Sequence, residues 1–220
     1  AGQREEVIRF KNPNKKGLFE DIILGPIEFD TTDLGDFVIA KDFDTPLYHL
    51  AVVADDFDMG VTHVIRAQEH IANTPRQILI QEAIGVSRPE YAHIPLILAP
   101  DKSKLSKRHG AVSALEYREE GYLPDALVNY LALLGWNPGT DQEIFTLKEL
   151  IETFSLGKIQ KSGAVFDVEK LKWVNKEHIM RLPIGKREEE MRQFLPDSIT
   201  TLPGFSEKVW KRIVPILAER

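Results

Sequence analysis

Cysteine is absent from all 220 residues. That excludes disulfides and thiolate-bound metal within the chain, zinc modules included, and it fits a reducing cytoplasm. No apolar run approaches the roughly 18 residues that would span a bilayer, so no membrane partner is expected. The opening Ala1-Gly2-Gln3-Arg4-Glu5-Glu6 has no apolar stretch of the signal-peptide kind, and its lack of an initiator Met points to a segment or a processed form. Nowhere does a Gly-x-x-x-x-Gly-Lys-Ser/Thr stretch occur, which argues against a P-loop phosphate binder. The six histidines show no His-x-x-x-His spacing. Repeats and low-complexity tracts are missing too. Bulk positive charge is also lacking: the net charge is −6. A protein that coats nucleic acid is usually basic, so only a local basic site remains open.

The pattern along the chain is α/β followed by all-α. Phe19–Leu24, Ile27–Phe29 and Phe37–Ala40 read as short strands, separated by Gly25-Pro26 and by Asp42-Phe43-Asp44-Thr45-Pro46. Tyr48–Phe57 reads as a helix. The β-branched run Val61-Thr62-His63-Val64-Ile65-Arg66 reads as a buried parallel strand. Thr74-Pro75 reads as an N-cap with proline in the first turn of a helix that stops at Gly85. Pro95-Leu96-Ile97-Leu98-Ala99 reads as the next strand, completing a βαβ unit with a right-handed crossover. From Ala111 the signals are helical. Ser113…Glu116 and Thr146…Glu149 have capping-box spacing. Leu147, Leu150, Ile151 and Phe154 form an amphipathic stripe. Leu127–Leu134 is apolar nearly all round and is expected to be buried. Asp167 and Ser206 are candidate caps of two further helices.

Ligands of open α/β sheets bind beyond the carboxyl ends of the strands. Arg66 ends one predicted strand, and the next runs into Asp101-Lys102-Ser103-Lys104-Leu105-Ser106-Lys107-Arg108-His109-Gly110. If the two strands are parallel neighbours, both features share an edge. In that loop Lys102, Lys104, Lys107 and Arg108 face only Asp101. Lysine ammonium groups suit phosphate oxygens, and Ser106 adds a hydroxyl donor. A solvated basic turn has the same composition, so charge alone does not decide. Asp55, Asp56 and Asp58 suggest a metal cluster, but carboxylates at a helix end are more often a solvated acidic terminus; no protein-held metal is expected.

Residue order is more specific. Lys104-Leu105-Ser106-Lys107-Arg108 resembles the Lys-Met-Ser-Lys-Ser motif of class I aminoacyl-tRNA synthetases. The stretches Pro46–Asp56, Gly60–Arg66, Asn73–Gln77 and Lys104–Gly110 resemble bacterial-type glutamyl-tRNA synthetases, and Gly121–Leu131 through Gly135-Trp136 is similar to that family's next, stem-contacting domain. The likeness runs from about Arg4 to about Arg181. It implies the second half of a Rossmann-like class I catalytic fold with part of its connecting insertion, followed by a helical stem-contact domain. The implied segments are 1–46 (end of the insertion and return to the catalytic fold), 47–110 (catalytic half with the lysine loop), 111–182 (stem-contact helices) and 183–220 (start of an anticodon-binding region). It implies ATP, carrying its own Mg2+, L-glutamate and tRNA(Glu) as partners of a monomeric, cytoplasmic parent ligase. Lys104 and Lys107 would be catalytic and, with Ser106, Arg108 and Glu69, would bind ATP. Arg66, Tyr48 and His70 would hold the amino acid.

The family's second motif, His-Ile-Gly-His-like, opposes the lysine loop across ATP. Neither Ala92-His93-Ile94-Pro95 nor Arg108-His109-Gly110-Ala111 fits it in context. The resemblance therefore implies an internal piece of a longer enzyme. A glutaminyl enzyme is disfavoured by Lys104 and by the His-Gly ending of the loop. A non-discriminating enzyme, or a tRNA-binding module without chemistry, stays open. The 220-residue chain alone is expected to show no glutamate-dependent ATP–pyrophosphate exchange; exchange at the rate of a complete ligase would overturn that expectation.

Overall fold

The computed structural model describes residues 7–106 and 113–218, which fall into two compact units. The first comprises 1–96 with 155–162, and the second 97–154 with 163–220. Each is described by itself.

The first unit is mixed α/β. Its four-stranded sheet has the order β3-β2-β6-β5, formed by β2 (Lys16–Asp21), β3 (Gly25–Asp30), β5 (His63–Ala67) and β6 (Glu90–Ile94). β2 and β3 are an antiparallel hairpin. Across its turn the Asp21 carboxylate accepts the amides of Ile23 and Leu24 at 3.0 and 2.9 Å, and Gly25 supplies the left-handed φ of +85°. β6 is parallel to both β2 and β5. A separate ribbon pairs β1 (Ile8–Phe10) with β4 (Phe37–Ala40), antiparallel. Helices α1 (Tyr48–Asp58) and α2 (Thr74–Ile84) pack on each other. Ile78 of α2 meets Phe19 and Tyr91 of the sheet in a core edged by Ile27, Phe29 and Val64. Gly85, left-handed at φ +74°, ends α2 by donating to the Gln81 carbonyl.

The parallel partner of β5 is thus Glu90–Ile94 and not the apolar run 95–99. Only Ile97–Leu98 of that run forms a strand, β7, and it pairs with β8 (Ala164–Val165) in the second unit. Strand pairing therefore does not itself place the lysine loop beside Arg66. The misreading has a physical cause. Hydropathy favours the apolar run, whereas Tyr91, Ala92 and His93 are all buried, and the polar two of them are satisfied by partners distant in sequence. Thr74 is likewise not a cap. A 3-10 turn, Gln68–Asn73, leads directly into α2, and the Thr74 hydroxyl is used elsewhere.

In the second unit the remaining helices are α3 (Ala114–Glu119), α4 (Pro124–Leu133), α5 (Leu147–Thr153), α6 (Val168–Arg181), α7 (Ile184–Arg192), α8 (Asp197–Thr200) and α9 (Glu207–Ala218). α4 packs on α5 and α6. Ala126, Tyr130, Ile144, Leu171 and Val174 form the core. Thr146 and Glu149 make the full reciprocal capping box, whereas Ser113 accepts only the Glu116 amide. Asp167 caps α6 through the amides of Glu169 and Lys170. Ser206 accepts the Val209 amide at 3.3 Å. Asn175 ties α6 to the α3–α4 turn by accepting from Leu123 N at 2.8 Å and donating to the Gly121 carbonyl at 3.1 Å. The Tyr130 hydroxyl accepts the Asp167 amide at 2.6 Å, and burial pushes its pKa up to about 12. The expected burial of 127–134 needs correction: Val128 and Leu131 of α4 are exposed. Of the apolar stripe along α5 only Leu150 is buried. A helix that touches its neighbours along one side covers only the residues on that side, however apolar the rest.

Asn129 is the polar hub of this unit. Its Oδ1 accepts Phe145 N at 2.8 Å and His178 Nε2 at 2.9 Å, and its Nδ2 donates to the Glu143 carbonyl at 3.0 Å. Asn129→Leu strands the buried Phe145 amide and is expected to destabilise the unit by about 3 kcal/mol. Thr146→Ala, which removes an exposed cap, is expected to cost about 1 kcal/mol. Urea unfolding followed by tryptophan fluorescence measures both, and equal costs would remove Asn129 from its role as hub.

Candidate amino-acid site

Three polar residues lie at the carboxyl ends of three mutually parallel strands. Asp21 is the last residue of β2, while Arg66 and His93 are next to last in β5 and β6. The β5–β6 register makes Arg66 and His93 direct neighbours. Arg66 Nε donates to His93 Nε2 at 3.1 Å. His93 Nδ1 stands 2.6 Å from Asp21 Oδ2, and the His93 amide donates to the same carboxylate at 3.0 Å. Arg66 Nη2 donates to Thr74 Oγ1 and Gln77 Oε1, both at 2.8 Å. Thr74 and Gln77 sit three apart on α2 and so share a face. The Arg66 guanidinium also lies over the Tyr91 ring, 5.6 Å from its centroid.

Asp21 and His93 are fully buried. Burial opposes the Asp21 charge, but the amide of Leu24, the ring and amide of His93 and the amide of Ile23 outweigh it and hold the carboxyl below its usual range. Burial pushes His93 the other way for an imidazole: its pKa is lowered, against the pull of Asp21 and with the repulsion of Arg66. Gln77 is 2% exposed, and its Nε2 has no hydrogen-bond partner among the described residues. Asp56, at the end of α1, is raised by burial, with Arg66 pulling it down.

Of the residues expected to hold the amino acid, His70 lies in the 3-10 turn, where its Nδ1 is 3.1 Å from Asn73 Nδ2 and its carbonyl is 3.4 Å from Thr74 Oγ1. Tyr48 opens α1, half exposed, with its ring 5.3 Å from that of His49. The His49 Nδ1 is buried without a partner among the described residues; burial lowers its pKa, and the charges of Arg76 and Arg66 add to this. Glu69 is exposed on the 3-10 turn.

Lys104 and Ser106 belong to the second unit. There residues 97–105 form a hairpin: Leu105 N donates to the Ile97 carbonyl, and Ala99 N to that of Ser103. Pro100 and Asp101 lie in the turn, with Lys102 left-handed at φ +65°. Asp101 braces the turn through the amide and hydroxyl of Ser103. Lys104 pairs with Leu98 on the return arm. Lys107 and Arg108 lie outside the described residues. So do His109 and Gly110. Among the described residues no group of three or more His, Asp or Glu is placed to hold a metal, and no helix is long and apolar enough to cross a membrane.

Sequence reading singled out Arg66 but missed Asp21, His93, Thr74 and Gln77. Two signals were available: a lone histidine between apolar strand residues, and a Thr and Gln spaced three apart facing a predicted sheet.

Parallel strand ends that converge on an arginine are the place where open α/β sheets take their ligands. Residues 1–173 match the family model of tRNA synthetases class I (E and Q), catalytic domain, and the chain belongs to that family. Glutamate–tRNA ligase of Carboxydothermus hydrogenoformans is 54% identical over 187 residues, which cover 84% of this chain and 39% of the relative. Glutamate–tRNA ligase 1 of Caldanaerobacter subterraneus subsp. tengcongensis is 45% identical over 218 residues, 99% of this chain and 45% of the relative. The crystal structure of a glutamate tRNA ligase from Elizabethkingia meningosepticum, solved in complex with its amino acid, superposes with a TM-score of 0.87 at 36% identity, over 97% of this chain and 46% of that one. The chain thus spans less than half the length of these relatives.

The histidine shifts set a pH dependence. His49, His93 and His178 all have folded pKa values below that of a free imidazole, about 6.5. As pH falls, the unfolded chain takes up these protons first, so stability is lost below about pH 6.5. Asp21 acts lower: its contribution is present above about pH 4 and is lost as pH falls through its depressed pKa. The urea midpoint is therefore expected to drop between pH 7.5 and 5. His93→Gln, which removes the titrating ring, is expected to flatten that drop; an unchanged slope would remove His93 as a cause.

Proposed function

We propose that the chain is the glutamate-selecting part of a glutamate–tRNA ligase. The observation that carries this reading is a buttressed guanidinium at the strand ends, in a chain of the class I E and Q family. On this reading Arg66 takes the side-chain carboxylate of L-glutamate, with Tyr48 and His70 lining the pocket. Lys104, Lys107, Ser106, Arg108 and Glu69 serve ATP, whose Mg2+ arrives with the nucleotide. The glutamate α-carboxylate oxygen attacks the α-phosphorus of ATP. The bond to pyrophosphate breaks, and glutamyl-adenylate forms. The terminal ribose hydroxyl of tRNA(Glu) then attacks the activated carbonyl, and AMP leaves. The protein's part in the first step is positioning and charge neutralisation. The lysines offset negative charge on the departing pyrophosphate, and Arg66 favours an anionic side chain over a neutral amide.

The finer architecture is part of the same reading. Residues 1–46 end the connecting insertion and return to the catalytic fold, and 47–110 are the second half of a Rossmann-like catalytic fold with the lysine loop. Residues 111–182 contact the inner side of the tRNA, and 183–220 begin an anticodon-binding region. The parent ligase is cytoplasmic and monomeric. Arg66→Leu is expected to weaken L-glutamate binding, measured by ligand-detected NMR, at least about tenfold, the scale of one lost charge-assisted hydrogen bond, and to leave ATP binding unchanged. Equal binding of glutamate and glutamine by the unmodified chain would overturn the reading.

A further inference from the structure

Arginine has five N–H donors and no acceptor, and it stays protonated in proteins. Two N–H groups cannot share one hydrogen bond. Arg66 Nε, 3.1 Å from His93 Nε2, therefore requires Nε2 to be the bare, accepting nitrogen. Asp21 Oδ2, 2.6 Å from Nδ1, requires the proton to be on Nδ1. The two contacts admit one form of the ring, neutral with Nδ1–H. A protonated ring would point a second N–H at the guanidinium and add a like charge beside it.

The donor count on Arg66 goes further. Nε is given to His93, and Nη2 to Thr74 and Gln77. Among the described residues Nη1 makes no hydrogen bond. A carboxylate reaching this arginine thus meets Nη1, and the plane of that group is fixed by the three partners of Nε and Nη2.

We propose that His93 and Asp21 are positioning residues: the Asp21–His93 pair, locked in the Nδ1–H form, orients Arg66 so that Nη1 alone is presented to the side-chain carboxylate of the amino-acid substrate. This rests on the reading that Arg66 is the carboxylate receptor. Neither His93 nor Asp21 touches the ligand; both are fully buried. They act through the guanidinium, much as an outer partner of a metal-bound histidine fixes its ring. The groups facing His93 are Asp21 and Phe19 from β2, Arg66 from β5, Thr74 from α2, Tyr91 stacked beside it on β6, and the charge of His70 from the 3-10 turn. Of these, only Asp21 is an anion. Protonating the ring therefore sets a cation against Arg66 with a single counter-charge, and Arg66 loses its Nε acceptor.

The test uses the 15N-labelled 220-residue chain. A long-range 1H–15N spectrum at pH 7.5 reads the His93 tautomer directly and needs no variant. The expected result is a protonated Nδ1 and a bare Nε2; a proton on Nε2 overturns the proposal. L-Glutamate is then titrated into the unmodified chain, His93→Phe and His93→Gln, with signal dispersion confirming that each is folded. His93→Phe is expected to weaken glutamate binding about tenfold. His93→Gln, which keeps one donor and one acceptor, is expected to recover most of that loss. Between pH 8 and 5.5 the affinity of the unmodified chain is expected to fall with pH, and that of His93→Gln to stay level. A folded His93→Phe that binds glutamate as the unmodified chain does would also overturn the proposal. If the unmodified chain shows the Nδ1–H form, and its Arg66 Nε–H signal is lost in His93→Phe, yet glutamate shifts nothing, then the receptor reading fails while the positioning of Arg66 stands.

Discussion

A carboxylate with no exposed surface is costly unless every lone pair is answered, and in the first unit that condition falls on Asp21. Its two oxygens accept the amides of Ile23, Leu24 and His93 and the His93 ring. The first two bonds shape the β2–β3 turn. The second two hold β6 against β2, where strand pairing supplies only the single Asp21–Tyr91 register point. Through the ring, the same carboxylate reaches β5 and sets the plane of Arg66. One buried charge thus joins turn geometry, sheet order and the orientation of the candidate binding group, and it can be neither moved nor removed without leaving a donor stranded.

The second unit uses the same principle with neutral groups. Asn129 and Asn175 each donate and accept across elements that are far apart in sequence. An amide carries no Born penalty, so such a hub costs less to bury than a carboxylate. It also confers no electrostatic tuning. The buried carboxylate–imidazole–guanidinium chain is a feature of the first unit.

Much of the local structure was legible in the sequence because it is decided by neighbours within four residues. Thr146 with Glu149, Asp167 before α6, Ser206 before α9 and Gly85 after α2 all act at that range. The extent of α1 follows from Tyr48–Phe57 in the same way. Strand order is another matter. The run 95–99 looked like the partner of β5 because it is apolar, whereas β6 carries a histidine that hydropathy counts as exposed. Its acceptability inside depends on Asp21, 72 residues earlier. The exposure of Val128, Leu131, Leu147 and Ile151 was hidden for the complementary reason. An apolar side chain is buried only where another element covers it, and a pattern along one helix does not say how many neighbours it has.

The sequence by itself determined that residues 101–108 carry a concentrated positive charge, that an arginine closes the β-branched run 61–66, and that the surrounding order of residues is that of the E and Q synthetases. These are properties of short, contiguous stretches. Only the tertiary structure decided that Thr74 spends its hydroxyl on Arg66 instead of capping α2, that Gln77 faces the same guanidinium, and that His93 stands between it and a buried carboxylate. Those facts depend on which strands lie side by side and in what register. Strand pairing is settled by satisfying buried polar groups across long sequence separations, a constraint that no local window contains.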